Sequence, residues 1–177
     1  MRDPFPDPRH RPRLTVVGIG NRCRHDDAVG LVVVRRLQGR FPLATSTVEG
    51  LDEPAGLFAA WDGAHGVWII DAARCAAAPG TVFRFRADER PLPAQLIGPS
   101  THTLSVADAV EIGRALGGLP RFVVVHAIVG RDFSRGEGLD PDVAAAARGV
   151  AATVRAEVAR WAARYAAACT TATGHDA

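Results

Sequence analysis

The sequence predicts an α/β fold: one three-layer domain in which a twisted, mainly parallel sheet carries helices on both faces. Two observations predict it. Short, continuously apolar runs such as Leu14–Ile19, Val67–Ile70 and Phe122–Val125 read as strands buried on both sides. Helical segments separate them, so strand and helix alternate along the chain, and no internal repeat or second domain is visible.

Taken in order, the first strand is Leu14–Ile19, and a helix over Ala28–Leu37 follows, with Gly39 placed to end it. Thr45–Val48 is a weaker strand and Pro54–Trp61 a short helix. The strand Val67–Ile70 runs up to Asp71. After the turn at Pro79-Gly80, Thr81–Arg86 alternates apolar residues with arginines, the pattern of a hairpin or edge strand. Ser105 with Asp108 forms a capping-box signature for the next helix, which Gly117-Gly118 closes. After the Phe122–Val125 strand, Asp140 stands as N-cap and Pro141 as first residue of the last helix. There Val143, Ala147, Val150, Val154, Val158, Trp161 and Tyr165 recur at helical spacing as one packing face, with Arg148, Arg155 and Arg164 directed away. Residues 1–13 read as a flexible segment, 14–168 as the domain and 169–177 as a disordered tail.

Composition excludes several functions. A chain of 177 residues that is 47% hydrophobic supports one domain with its own core. A net charge of +2 without a basic cluster argues against nucleic acid as a partner. All 21 basic residues are arginine, so no P-loop or Schiff-base lysine exists in the chain. No stretch approaches the roughly 20 apolar residues of a membrane span, and Met1–Arg13 lacks the apolar core of a signal peptide. Cys23, Cys75 and Cys169 form neither a disulfide framework nor a zinc motif, which fits a reduced, cytoplasmic protein.

The chemistry concentrates in Gly18-Ile19-Gly20-Asn21-Arg22-Cys23-Arg24-His25-Asp26-Asp27-Ala28-Val29-Gly30, a strand–glycine loop–helix passage with two acids at the helix start. Cys23 replaces the third glycine of a dinucleotide fingerprint, and no G-x-S-x-G elbow occurs anywhere. In a parallel sheet the carboxyl ends of the strands gather on one edge. Asn21, His25, Asp26 and Asp27 would meet Asp71 and His126 there, and the loop holding His102 lies within reach. Two carboxylates and an imidazole suit nickel, zinc or manganese. Each residue also has a plainer reading: one of Asp26 and Asp27 as an N-cap, Asp71 as a loop stabiliser, His102 as a solvated side chain, His126 as strand-end packing. Cys23 or Cys75, activated by His25 or His102, offers a cysteine-dependent hydrolase as an alternative.

The passage from Gly18 to Gly30 resembles the opening motif of the hydrogenase maturation proteases. So do Ile70-Asp71-Ala72 with Pro79-Gly80-Thr81, Ser100-Thr101-His102, and Gly136-Glu137-Gly138-Leu139 before Asp140-Pro141, in order over about residues 14–160. That resemblance implies a twisted sheet flanked by helices and a cytoplasmic endopeptidase. The enzyme would remove the C-terminal extension of a NiFe hydrogenase large-subunit precursor after nickel insertion. It maps the family's metal-contacting residues onto Asp27, Asp71 and His102, with the nickel carried by the substrate and no tightly bound resident metal. Two positions depart from the family pattern: an acidic turn is replaced by Glu49-Gly50-Leu51-Asp52-Glu53-Pro54, where Glu49 and Asp52 both qualify, and His25 stands where a small residue is expected. A non-catalytic metal- or peptide-binding domain of the same fold is the other reading.

Overall fold

The computed structural model describes residues 12–41, 45–51, 55–93 and 105–172. The elements run β1 (Leu14–Ile19), a 3-10 turn (His25–Ala28), α1 (Val29–Leu37), β2 (Thr45–Leu51), α2 (Gly56–Trp61), β3 (Gly66–Ala73), β4 (Val82–Arg86), α3 (Val106–Ala115), β5 (Phe122–Val129) and α4 (Pro141–Ala172). The sheet order is β2-β1-β3-β5-β4, parallel except for β4, which pairs antiparallel to β5 on the outer edge.

Alternation along the strands divides the core into two layers. Leu14, Val16, Trp68, Ile70, Val124 and Ile128 face α1 and α4. Val17, Ile19, Val67, Ile69, Val123 and Val125 face α2 and α3, where Leu57, Trp61, Val106 and Val110 cover them. The whole apolar stripe of α4 from Val143 to Tyr165 lies in the first layer, as its spacing predicts. The α/β three-layer expectation therefore holds.

The helix ends follow their sequence signals. Ser105 Oγ accepts the Asp108 N–H at 3.1 Å while the Asp108 carboxylate accepts the Ser105 N–H at 2.9 Å, a complete capping box. Asp140 Oδ1 accepts the Asp142 N–H at 2.9 Å at the start of α4. Gly39, at φ 68°, closes α1. Strand lengths were less legible: β2 runs past Val48 to Leu51, β3 past Ile70 to Ala73 and β5 past Val125 to Val129. Ladder pairing of β3 with β5, from Gly66–Phe122 to Ala73–Val129, carries both beyond their apolar runs. α4 continues to Ala172, beyond residue 168.

These lengths move His126. It lies inside β5, paired with Ile70 and Arg84 rather than at the strand's end, and only 2% of it is exposed. Its Nε2 is 3.2 Å from Glu157 Oε2, which also accepts the Trp68 Nε1–H at 2.9 Å. Arg84 Nε donates to the other oxygen, Oε1, at 2.6 Å. Burial opposes the Glu157 charge, but these donors outweigh it and hold the carboxyl down to about 2. His126 is thus part of a structural network under α4, and the expectation that it joins the carboxyl edge is corrected.

Candidate active site

Connection order creates a crevice at one place on the sheet. From β1 the chain crosses by α1 to β2 on one side, then by α2 on the other face back to β3 beside β1. Strand order therefore reverses between β1 and β3, and the carboxyl ends at such a reversal are where open α/β sheets bind ligands. β1 ends first: its last pair with β3 is Gly18–Ile70. Asp71 is the next residue of β3, still paired with Ala127 on its other side but already beyond the end of β1.

Glycines bring α1 down onto this point. A Cβ on Gly30 would stand 2.3 Å from the Ile19 carbonyl oxygen and 2.4 Å from that of Ile70, so the helix start rests directly on both strand ends. A Cβ on Gly20, at φ 132°, would stand 1.8 Å from the Asp27 carbonyl oxygen. The glycine spacing of the motif is thus a close-packing requirement that sets Asp27 beside β3.

The two adjacent acids take different roles, and neither caps α1 by its side chain. Asp26 is fully buried. Its Oδ2 accepts the N–H groups of Arg131 at 2.8 Å and Asp132 at 2.9 Å, and its Oδ1 that of Asp140 at 2.7 Å. This carboxylate pins the segment between β5 and α4 to the 3-10 turn. The pinning is reinforced on both sides: Arg24 bridges Gly136, His25 N–H donates to the Gly136 carbonyl at 2.9 Å, and Arg74 lies 4.0 Å over the Phe133 ring. His25, at φ 44°, turns its ring toward that segment, with Nε2 3.8 Å from Asp132. The N-cap reading of the pair is corrected, and nothing local signals the Asp26 partners, because they lie more than a hundred positions along the chain.

Asp27 is only partly buried and acts electrostatically on Asp71. Its Oδ2 accepts the Asn21 N–H at 3.0 Å, its one side-chain hydrogen bond among the described residues, so acceptor capacity remains open. Asn21 Oδ1 in turn accepts the Cys23 N–H at 2.9 Å and holds the loop. Asp71 is half-buried, and its Oδ1 accepts the Ala72 N–H at 2.8 Å. Desolvation raises its carboxyl from 3.8 to about 7; the Ala72 bond opposes this, and the Asp27 charge adds to the rise. The Asp27 charge thus disfavours ionisation of Asp71, an effect that a bound cation would relieve. Asn21, which binds Asp27, also lines a hollow of about 390 Å³ with Arg22, Cys23, Leu31 and Gly50.

His102, the third residue expected here, lies outside the described residues, as does Asp52. Among the described residues no group of three His, Cys, Asp or Glu side chains is arranged to hold a metal ion. Glu49, the other candidate for the acidic turn, is engaged by Arg35 at 2.7 Å and Gln38 at 3.3 Å. Cys23 is exposed, while Cys75 packs against a small cluster of Ala73, Ala127 and Val129. No helix among the described residues is long and apolar enough to cross a membrane.

Comparison with known proteins agrees with this architecture. The model of the family described as hydrogenase maturation protease matches residues 33–157. The hydrogenase 2 maturation protease of Escherichia coli K12 is 32% identical over 138 residues, covering 75% of this chain and 82% of the relative. The structure of the E. coli hydrogenase maturating endopeptidase HybD superposes with a TM-score of 0.72 at 24% identity, over 84% of this chain and 93% of that one. The NiFe hydrogenase maturation protease HybD from Thermococcus kodakarensis shares the fold, with a TM-score of 0.61 at 20% identity, over 82% of this chain and 99% of that one. Over a sheet whose reversal point holds Asp27 and Asp71, and across most of its length, this chain belongs to the hydrogenase maturation protease family.

Proposed function

We propose that this protein is the endopeptidase that removes the C-terminal extension of a NiFe hydrogenase large-subunit precursor after nickel has been inserted. The observation that carries the reading is the coupled pair of carboxylates, Asp27 and Asp71, at the strand-order reversal. The precursor brings the nickel as part of the substrate, and Asp27, Asp71 and His102 receive it. A divalent cation compensates the two negative charges that otherwise repel, so a loaded precursor docks where an empty one does not. Docking places the scissile carbonyl beside the metal, which polarises it for attack by water; the C–N bond breaks and the new amine takes the proton. The reaction belongs to the cytoplasm, where such precursors are assembled.

The test is incubation with nickel-loaded and nickel-free precursor, read by mass spectrometry for loss of the extension. Cleavage of the loaded form alone, abolished by Asp27→Ala and by His102→Ala, is the expected result. Cleavage that survives both substitutions, or that stops with Cys23→Ser or Cys75→Ser, would overturn this site and favour thiol chemistry.

A further inference from the structure

The sheet has two edges, β2 and β4, and they are built differently. The backbone groups along an edge strand are a template for another chain, and folded proteins blunt such edges with charges, short strands or prolines. β4 is blunted: it has five residues, among them Arg84 and Arg86, which are tied to Glu157 and Asp88. β2 is not. It runs seven residues, Thr45-Ser46-Thr47-Val48-Glu49-Gly50-Leu51, with no proline and a single charge. That charge, Glu49, is engaged by Arg35 at 2.7 Å and Gln38 at 3.3 Å. None of Thr45–Gly50 is buried, and among the described residues β1 is the only strand that pairs with β2. Every second residue of β2 therefore directs its N–H and C=O away from the sheet, with no described strand to receive them.

This edge ends beside the candidate site. The register between β1 and β2 shifts at Gly18/Ile19, which makes Gly50, at φ 81°, an extra residue in β2. Such a bulge bends its strand, here at the carboxyl end. Gly50 lines the hollow of about 390 Å³ together with Asn21, whose N–H donates to Asp27. A Cβ at Gly50 would meet nothing within 4 Å, so the strand passes into the hollow without obstruction.

We propose that the C-terminal extension of the precursor binds as a sixth strand along the outer edge of β2, an inference that rests on the peptidase reading. A segment drawn out of a folded subunit arrives extended with its amides unpaired, so strand addition satisfies the backbone of both chains. The extension follows the scissile bond and leads away from the site. Along β2 that direction runs from Gly50 to Thr45, antiparallel to the strand. At about 3.4 Å per residue, about six residues of the extension pair with Thr45–Gly50. Recognition then reads the backbone of the extension rather than its side chains.

The test is steady-state cleavage of nickel-loaded precursor whose extension is substituted singly, from its second residue onward, by alanine and by proline. Alanine keeps the backbone donor and should change KM less than about twofold. Proline removes one N–H. Where that N–H points toward β2, KM should rise about fivefold, the weight of one hydrogen bond, with kcat unchanged. The sensitive positions should alternate with a period of two over about six residues. On this chain, Ser46→Pro and Thr47→Pro remove donors from opposite sides of β2. The variant whose missing donor faces outward should keep the wild-type melting temperature and raise KM about fivefold, while the other loses a ladder bond and stability. Proline effects without the alternation, alanine effects as large as those of proline, or an unchanged KM in a well-folded β2 variant would overturn strand addition. Cleavage would persist in those cases, and the peptidase reading with it. No cleavage of any loaded precursor would instead defeat that reading and this inference together.

Discussion

Replacing Asp71 by Asn should stabilise the protein while abolishing its cleavage activity. Desolvation at the end of β3, with the Asp27 charge nearby, raises the Asp71 carboxyl from 3.8 to about 7. Between those two values the unfolded chain is ionised while the folded protein keeps its proton. Stability is therefore present at low pH and is lost as pH rises toward 7. The Asn variant has no such titration and can keep an oxygen acceptor for the Ala72 N–H. Comparing variant and wild type at two pH values cancels the intrinsic difference between amide and neutral acid. From pH 5 to pH 7 the linkage amounts to about 1.7 units at about 1.4 kcal/mol each, so the gap in favour of Asn widens by about 2.3 kcal/mol, with only a few tenths of a kcal/mol more to pH 8. Urea denaturation at pH 5, 7 and 8 measures this directly. A gap constant to within about 0.5 kcal/mol would mean that Asp71 ionises like a solvated carboxylate, and the desolvation argument would fall.

Other perturbations test the surrounding frame. Asp26→Ala strips three backbone N–H groups of a buried charged acceptor and should cost about 3–5 kcal/mol, with faster amide exchange at Arg131, Asp132 and Asp140. A loss below about 1 kcal/mol would show that water replaces the carboxylate there. Gly30→Ala drives a Cβ into the Ile19 and Ile70 carbonyl oxygens, so α1 must lift; calorimetry should show a loss of about 3 kcal/mol or more, and a near-neutral result would contradict the close contact. Glu157 is held at about 2 against an ordinary 4.5, so its network contributes stability above pH 4.5 that is lost as pH falls toward 2. Glu157→Gln should therefore cost about 2–3 kcal/mol at pH 7 and progressively less in acid; a loss that does not change with pH would exclude a role for the charge.

Local chemistry determined the elements and their ends. The apolar runs placed the strands, the Ser105–Asp108 box and Asp140-Pro141 placed two helix starts, and the α4 stripe named its own packing face, because each depends on neighbours within a few residues. The shared carboxyl edge of the strands gathered Asp26, Asp27 and Asp71 as candidates, and the family resemblance singled out Asp27 with Asp71. Tertiary structure alone showed why the two adjacent acids differ in their partners. Asp26 and Asp27 are chemically identical, and the difference arises because amides of the distant 131–140 segment converge on one of them. His126 escaped for a related reason: strand length is set by ladder partners, so an apolar run ending at Val125 could not reveal that β5 continues and buries the imidazole against Glu157. Spacing along the chain marks what neighbours can reach, while burial, charge coupling and the roles of like residues depend on which distant backbone closes over them.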